Sequence, residues 1–298
     1  MMLFILIIES KGFFIMLKRT ITAVIGVALL VVACIYSHTI AFPILIGLMA
    51  LLGVYEMLGC VGMRKNFIVS LCLYVMTIIV TVLTQTIQSH SLYMAAYSSF
   101  LFCIMLILFT VAVFSEGKIP VDKVCIAFTT CAYIITGFIS IVQLRNLETK
   151  DGSPVGGVIY LLVFIAPWVT DTFAYFCGRL FGRHKLIPSV SPKKTVEGSI
   201  GGIVFCILGC MLYRFILGLM HYENLPSLWI FAALGFVISI VSQIGDLIFS
   251  LIKRRYGIKD YGVIFPGHGG VLDRFDSVIA TAPLILIACE ALAYFNVM

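Results

Sequence analysis

The residues best suited to chemistry lie in two polar clusters of an otherwise apolar chain. The cluster nearer the C-terminus begins with Asp246 and Ser250 and continues to Lys253 and Arg254. In a helix these spacings place the side chains on one face, so a carboxylate is followed by a hydroxyl group and then by cations. Such a stripe is suited to hold a metal-bound phosphate group.

The same cluster continues through Lys259 into a glycine-rich segment, Pro266-Gly267-His268-Gly269-Gly270. The glycines permit positive φ and let backbone N–H groups approach a ligand, although a simple tight turn has the same composition. His268 is placed either to donate a hydrogen bond to a phosphate or to hold the loop. The composition alone leaves both roles open.

Asp273 and Asp276 follow three residues apart, with Arg274 between them. The two carboxylates share one face if the last helix has begun there. Oxygen ligands of this kind suit Mg²⁺, which usually takes one or two protein carboxylates and completes its shell with water and substrate phosphate. The simpler alternative, capping of the last helix, leaves the His-Gly-Gly segment and Asp246 unexplained.

The other cluster contains Asp171, inside a long apolar stretch, and the segment Ser191-Pro192-Lys193-Lys194-Thr195. A carboxylate in hydrocarbon needs a cation, a protein partner or a wet cavity, so we expect Asp171 to face the helix bundle. A buried interhelical hydrogen bond is the alternative. Hydroxyl, ammonium and free backbone N–H groups just before a helix suit phosphate, but paired lysines also serve as topology signals or headgroup contacts.

The elements that position these clusters are predicted from hydropathy. The chain has 298 residues, of which 61% are hydrophobic and 11% charged, with a mean hydropathy of +1.13. This apolar content exceeds what a soluble core can bury, and a helix crosses the hydrocarbon layer with about 20 mostly apolar residues. Nine spans are predicted, at residues 20–36, 40–58, 67–84, 92–114, 124–144, 156–177, 200–220, 228–252 and 278–297.

The predicted fold class is therefore all-α, a polytopic membrane helix bundle of about nine transmembrane helices. We predict that residues 1–298 form one integral membrane domain, with an N-terminal half (1–155) and a C-terminal half (156–298) that contains both polar clusters. Met16, just before Lys18 and Arg19, is an ordinary start ahead of the first span. We hypothesise that translation begins there rather than at Met1.

The basic residues predict the orientation. If the N-terminus is cytosolic and the spans alternate, all Lys and Arg residues of the loops fall on the cytosolic side except Arg145 and Lys150, and Arg214 lies within a span. This bias predicts an N-in, C-out protein with both polar clusters facing the cytosol, where nucleotides are found. The net charge of +6 is divided among short loops, which argues against nucleic-acid binding.

The motifs resemble those of one family. Ser250-x-x-Lys253-Arg254, Lys259-Asp260, the Pro266–Gly270 segment and Asp273-Arg274-x-Asp276 resemble the signature of the phosphatidate cytidylyltransferase (CDP-diacylglycerol synthase) family. Asp171-Thr172 and the segment from Ser191 to Gly198 resemble its other characteristic region. The resemblance covers the C-terminal half of the chain, whereas the first 155 residues match only in hydropathy.

The resemblance implies an enzyme that joins CTP to phosphatidate, giving CDP-diacylglycerol and pyrophosphate for phospholipid biosynthesis. It implies dependence on Mg²⁺, with a monovalent cation such as K⁺ as an optional aid. Many members are thought to be dimers, so we expect a homodimer. The compact single-domain organisation favours a bacterial plasma membrane, with the active site open to the cytosol.

The resemblance and oxygen chemistry also suggest residue roles. Asp246 and Asp273 are expected to bind Mg²⁺, with Asp276 and Asp171 as additional ligands. Lys253, Arg254 and Arg274 are expected to hold the CTP phosphates and stabilise the leaving pyrophosphate. The expected substrate-binding residues are Ser191, Lys193, Lys194, Thr195, Ser250, Lys259, His268, Gly269 and Gly270.

Two alternatives remain open at this stage. An ion-coupled transporter also has many spans with intramembrane aspartates, although no repeated half is evident in the sequence. A CTP-dependent enzyme acting on another lipid phosphate or on a polyprenyl alcohol would share most of the motifs. Substrate competition would separate these enzymes from one another.

Overall fold

The computed structural model of the chain describes residues 20–21, 24–87, 89–148, 155–222, 225–265 and 267–295. Met16, Lys150 and Pro266, on which predictions were made above, lie outside these residues. Every helix-length element of the described residues is α-helical, and the one sheet among them is a small hairpin of two strands. The predicted all-α fold class is therefore confirmed.

Eight helices in the described residues are long and apolar enough to cross a membrane, counting α6 and α7 as one span. They follow a shorter apolar helix at the place of the first predicted span. The helices are α1 (Val24–Ile35), α2 (Ala41–Val61), α3 (Phe67–Thr86), α4 (His90–Phe114), α5 (Val121–Arg145), α6 (Gly156–Ile159), α7 (Leu162–Phe181), α8 (Val196–Leu219), α9 (Leu228–Arg255) and α10 (Leu272–Tyr294).

Local sequence signals set the tight connection between α2 and α3. α2 ends at Gly62, whose φ of +77° is accessible to glycine at little cost. Asn66 then accepts a hydrogen bond from the backbone N–H of Val69 at 3.2 Å and caps the start of α3. The turn between them carries Arg64 and Lys65, as the predicted topology requires of a cytosolic loop.

The last helix begins earlier than hydropathy predicts. α10 starts at Leu272, whereas the predicted span starts at residue 278, so Asp273 and Asp276 already lie in the helix. A hydropathy window excludes this first turn because it is charged. The backbone N–H groups there have partners on other parts of the protein, as described below, and the turn is therefore stable as a helix.

The segment before α8 differs from expectation. Ser191–Thr195 is a strand, β2, which pairs antiparallel with β1 (Lys185–Ile187), with Lys185 opposite Thr195. The sequence was interpreted as an irregular loop with free backbone donors. Strand pairing takes up part of those donors, so the side chains of β2 rather than its backbone are the groups left for a ligand.

The two halves of the chain meet at α10. This helix packs against α9 and α7 of the C-terminal half and against α5 and α2 of the N-terminal half. A Cβ atom at Gly137 of α5 would lie 2.8 Å from the Cα atom of Ile279, so glycine at this position allows the two backbones to approach closely. The start of α10 is thus fixed from both halves.

Candidate active site

An ion pair brings the two polar clusters of the sequence together. The Nζ atom of Lys194, at the end of β2, lies 2.5 Å from Oδ2 of Asp246 on α9. The two side chains are 25% and 26% exposed, so the pair lies at the edge of the protein interior rather than fully in solvent. The hairpin and α9, whose paired residues are separated in sequence by α8 and much of α9, therefore contribute to one site.

Two more aspartates, from two other helices, lie near this ion pair. Asp171 on α7 is within electrostatic range of Asp246 and of Lys194, and Asp276 on α10 is within range of both other carboxylates. Asp171 retains exposed surface, whereas Asp276 is partly buried. The arrangement concentrates negative charge that only nearby cations can compensate.

Asp273 faces a different set of partners. Its Oδ1 atom lies 2.8 Å from Nζ of Lys253, and its Oδ2 atom accepts hydrogen bonds from the backbone N–H groups of Tyr261 at 2.8 Å and Gly270 at 3.0 Å. The Asp273 side chain is only 4% exposed. In this conformation Asp273 joins the end of α9, the following loop and the start of α10.

The predicted stripe on α9 forms a continuous polar face. Ser250 donates a hydrogen bond from Oγ to Oδ1 of Asp246 at 3.2 Å, and one turn later Lys253 reaches Asp273. Arg254 is exposed and donates from Nε to the carbonyl oxygen of Val190 at 3.4 Å, which holds α9 to the hairpin. Most of the Arg254 guanidinium group remains available to an anion.

The glycine-rich segment is a tight turn that packs on Asp273. Phe265 donates its N–H to the carbonyl oxygen of Gly269 at 2.9 Å, and Arg274 donates from Nε to the carbonyl oxygen of His268 at 2.9 Å. Gly269 has a φ of +86°, and a Cβ atom there would lie 2.7 Å from Oδ2 of Asp273. The Nδ1 atom of His268 is buried and has no partner within the described residues, so it remains a candidate to meet a ligand.

The remaining predicted binding residues divide into two groups. Lys193 and Lys259 are exposed and Ser191 is partly buried, so the three can meet a ligand. Thr195 is buried, and its Oγ1 atom accepts a hydrogen bond from the N–H of Gly198 at 3.2 Å as the N-cap of α8. Its hydroxyl group is therefore committed to the helix start that presents Lys194.

Residues 17–292 match the sequence profile of the cytidylyltransferase family. The chain belongs to this family. Similar proteins include three named phosphatidate cytidylyltransferase. The relative from Staphylococcus haemolyticus (strain JCSC1435) is 33% identical over 277 residues, which cover 90% of this chain and 97% of the relative.

The other two relatives give a consistent picture. The one from Staphylococcus saprophyticus (ATCC 15305) is 37% identical over 182 residues, covering 61% of this chain and 65% of the relative. The one from Staphylococcus aureus (strain COL) is 31% identical over 278 residues, covering 90% and 97%. The family resemblance inferred from the motifs is confirmed, and it extends over both halves of the chain.

Two residues of this cytidylyltransferase-family site were missed in the sequence. Tyr261 donates its phenol hydrogen to the carbonyl oxygen of Phe249 at 2.8 Å, and its ring centroid is 5.4 Å from Nζ of Lys253. Burial raises the pKa of the Tyr261 phenol, and nearby Cys60 and Asp273 raise it further. Tyr261 therefore stays neutral and supports the loop, but nothing in its sequence context signalled this.

Glu56 is the other missed residue, and for this one a signal existed. It is an acid inside the apolar span α2, where ionisable residues are costly and commonly functional. It is only 3% exposed, and its carboxylate accepts hydrogen bonds from the N–H groups of Val271 and Leu272. The N-terminal half thus contributes directly to the start of α10.

A buried polar network lies next to the aspartates. Gln243 of α9 accepts a hydrogen bond from Oγ of Ser199 on α8 at 2.5 Å, and Thr170 of α7 donates to Oγ of Ser239 at 3.2 Å. These contacts join three helices near two of the carboxylates, because Thr170 directly precedes Asp171 and Gln243 lies about one turn before Asp246. They fix the relative heights of the helices that carry the carboxylates.

The donor chemistry of the site fits Mg²⁺. The carboxylates of Asp246, Asp276 and Asp171 are hard oxygen donors, and the described residues contain no group of three or more His, Cys, Asp or Glu side chains arranged to hold a metal ion by themselves. Mg²⁺ needs only one or two protein carboxylates when water and substrate phosphate supply the rest. Asp273 already accepts three hydrogen bonds, so direct ligation of a metal would use its remaining acceptor capacity.

Proposed function

We propose that this member of the cytidylyltransferase family is a phosphatidate cytidylyltransferase, which makes CDP-diacylglycerol and pyrophosphate from CTP and phosphatidate. The names of the relatives support this substrate pair. The structural observation that carries the proposal is the Lys194–Asp246 ion pair. It joins the two motif regions into one charged site at helix ends. The helices that carry this site are long and apolar enough to cross a membrane.

The reaction needs alignment and charge neutralisation more than a strong base. A phosphate oxygen of phosphatidate attacks the α-phosphorus of CTP, a new phosphorus–oxygen bond forms, and the bond to the β-phosphate oxygen breaks to release pyrophosphate. The nucleophile is already an anion, so no proton has to be removed from it. Placing two anionic groups in contact is therefore the main barrier that the protein lowers.

The basic residues fall into two groups, those with exposed side chains and those held in ion pairs. Lys193, Lys259 and Arg254 are exposed and can reach phosphate oxygens, and Arg274 keeps donors beyond the one that it gives to His268. Lys253 is only 14% exposed and is held by Asp273, so its position is fixed before substrate arrives. Lys194 moves its positive charge between Asp246 and a bound phosphate. Cations placed in this way stabilise the departing pyrophosphate.

Mg²⁺ would be held by Asp246 and Asp276, with Asp171 beside them. When bound, the ion supplies positive charge that neutralises the phosphates of CTP and orients them. Asp273 supports this arrangement by fixing Lys253 and the start of α10, and its role as a direct ligand remains a prediction. The aid of a monovalent cation such as K⁺ also remains a prediction.

The lipid substrate fits the exposed surface of α7 and α8. Both helices are spans, and Asp171 of α7 retains exposed surface next to large exposed apolar side chains such as Tyr175 and Phe176. Acyl chains therefore enter sideways from the bilayer while the phosphate head reaches the charged helix ends. We further propose a bacterial plasma membrane, a site that faces the cytosol and a homodimer.

No finding supports the transporter alternative, whereas an enzyme using CTP on another lipid phosphate or a polyprenyl alcohol shares the same charged site. A direct test offers the purified protein CTP labelled at both the α- and the γ-phosphate, together with phosphatidate and a polyprenyl alcohol in one set of mixed micelles. We expect labelled CDP-diacylglycerol as the product. Labelled polyprenyl phosphate or another nucleotidyl lipid in its place would contradict the proposed substrate.

A further inference from the structure

Glu56 is a carboxylate buried far in sequence from every motif of the site. It lies in α2 and is 3% exposed. Its Oε1 atom accepts a hydrogen bond from the N–H of Val271, and its Oε2 atom accepts one from the N–H of Leu272, both at 2.9 Å. The second of these contacts joins residues 216 positions apart.

These two bonds supply what the start of α10 lacks locally. The N-cap residue of α10, Val271, has no side-chain hydrogen bond to the helix, and an apolar side chain cannot accept one. The first N–H groups of a helix have no partner within the helix, and the helix dipole favours negative charge there. Glu56 provides both acceptors and the charge from a neighbouring helix.

The glycines beside Glu56 are explained by the same contact. A Cβ atom at Gly262 or at Gly270 would collide with the Glu56 carboxylate. Gly270 does not need glycine for a positive φ, unlike Gly269. The second glycine of the His-Gly-Gly segment therefore makes room for Glu56 to enter below the loop.

Two further contacts connect Glu56 to the residues of the candidate site. Gly270, which packs on Glu56, donates its N–H to Asp273 at 3.0 Å, and Asp273 holds Lys253. Asp276 follows one turn along the same helix. We infer that Glu56 is a positioning residue of the active site, which fixes the start of α10 and thereby the places of Asp273 and Asp276. The kinetic test of this inference rests on the proposed function, whereas the test by amide exchange does not.

The first test measures the helix start directly. Amide hydrogen exchange of the detergent-purified full chain is compared for the native protein, Glu56→Ala, Glu56→Gln and the matched control Glu148→Gln, whose carboxylate is exposed and distant from the site. We expect at least tenfold faster exchange at Val271 and Leu272 in both Glu56 variants, with native rates in the control. Unchanged exchange in Glu56→Gln would overturn the inference, whether or not the protein makes CDP-diacylglycerol and even if Glu56→Ala fails to fold.

The second test measures positioning through kinetics at equal amounts of folded protein. In both Glu56 variants we expect kcat to fall at least tenfold and the Mg²⁺ concentration for half-maximal rate to rise, while KM for phosphatidate changes less than threefold. A purely structural role would reduce the amount of active protein without moving the Mg²⁺ dependence. An active native enzyme with unchanged Mg²⁺ dependence in the variants would overturn the inference and leave the proposed function standing. A native enzyme inactive on every CTP acceptor would overturn the function, and amide exchange would still decide the inference.

A double substitution tests the packing argument. Gly270→Ala alone is expected to lower activity at least tenfold because its Cβ atom meets the Glu56 carboxylate. In the Glu56→Ala background the same substitution is expected to cost less than threefold, because the carboxylate is gone. Equal fold losses in the two backgrounds would show that Gly270 and Glu56 act independently, and would overturn this part of the inference.

Discussion

At the scale of single residues, the site depends on cations that are paired before substrate binds. Lys194 and Lys253 each have an aspartate partner, whereas Lys193 and Lys259 are exposed. A partly buried ion pair fixes the direction of a charge, and an exposed lysine samples many conformations. The paired lysines should therefore be the residues on which turnover depends most strongly.

Substituting Lys194 tests this idea. Lys194→Ala leaves Asp246 without its ion-pair partner and Asp171 without a nearby cation, so we expect turnover to fall about 100-fold, on the scale of losing one preorganised electrostatic group. The control is Lys185→Ala, an exposed lysine on the same hairpin, which should stay within about threefold of native. Steady-state rates at saturating CTP measure both, and equal losses in the two variants would contradict the role of Lys194.

Substitutions of Asp273 and of Lys253 are expected to lower the free energy of unfolding by different amounts. Asp273→Ala removes the acceptor of three donors and leaves Lys253 unpaired, so we expect a loss of about 3–5 kcal/mol in the free energy of unfolding. Lys253→Met leaves Asp273 its two backbone donors and should cost about 1–3 kcal/mol. Thermal unfolding in detergent gives the order, with the exposed Asp260→Ala as control. A smaller loss for Asp273→Ala than for Lys253→Met would contradict the assigned contacts.

At the scale of elements, the charged residues of the candidate site lie at helix starts and ends. α8 begins with the Thr195 cap directly after Lys194, α9 ends at its basic residues, and α10 carries Asp273 in its first turn. The sequence patterns predicted these charges at helix boundaries because charge is costly in hydrocarbon. They did not predict the hairpin, because strands of three and five residues are too short to show a hydrophobic periodicity.

The cap of α8 can be tested by a conservative pair. Thr195→Ala removes the hydrogen bond to the N–H of Gly198 and should cost about 1 kcal/mol of stability, together with a several-fold loss of turnover, because Lys194 directly precedes the cap. Thr195→Ser keeps the hydroxyl group and should retain most of both quantities. Thermal unfolding and initial rates are the measurements. A Thr195→Ser variant as impaired as Thr195→Ala would show that the methyl packing, not the cap, is what matters.

At the scale of the whole molecule, the sequence predicts where the spans lie but not which spans contact one another. Long apolar runs identified the eight long helices, since the bilayer sets the length of a spanning helix. The contact of Glu56 with Leu272 joins positions on opposite halves of the chain, and no local pattern encodes it. In the first 155 residues only the hydropathy was recognisable as that of the family, although the family profile matches residues 17–292. Their contribution to the start of α10 is made through packing, which a short motif does not record.

The orientation is tested by labelling from one side of the membrane. Cys103 is the one exposed residue among the ten cysteines, so Cys103→Ser gives a suitable background. In it, a cysteine at Arg183 should react with a membrane-impermeant thiol reagent only in inverted vesicles, and a cysteine at Glu148 only in right-side-out vesicles. Both positions are exposed. The reverse pattern would contradict the N-in, C-out topology.

The most direct test of the central claim is Mg²⁺-dependent conversion of phosphatidate and labelled CTP to CDP-diacylglycerol by the detergent-purified protein, with Asp246→Asn measured beside it. Asp246 meets both Lys194 and Ser250, so its charge links the two motif regions. We expect the native protein to form product and the variant to lose about 100-fold or more of that rate. Folded native protein that forms no CDP-diacylglycerol across lipid and cation conditions would contradict the proposed function, and full activity in Asp246→Asn would contradict the proposed site.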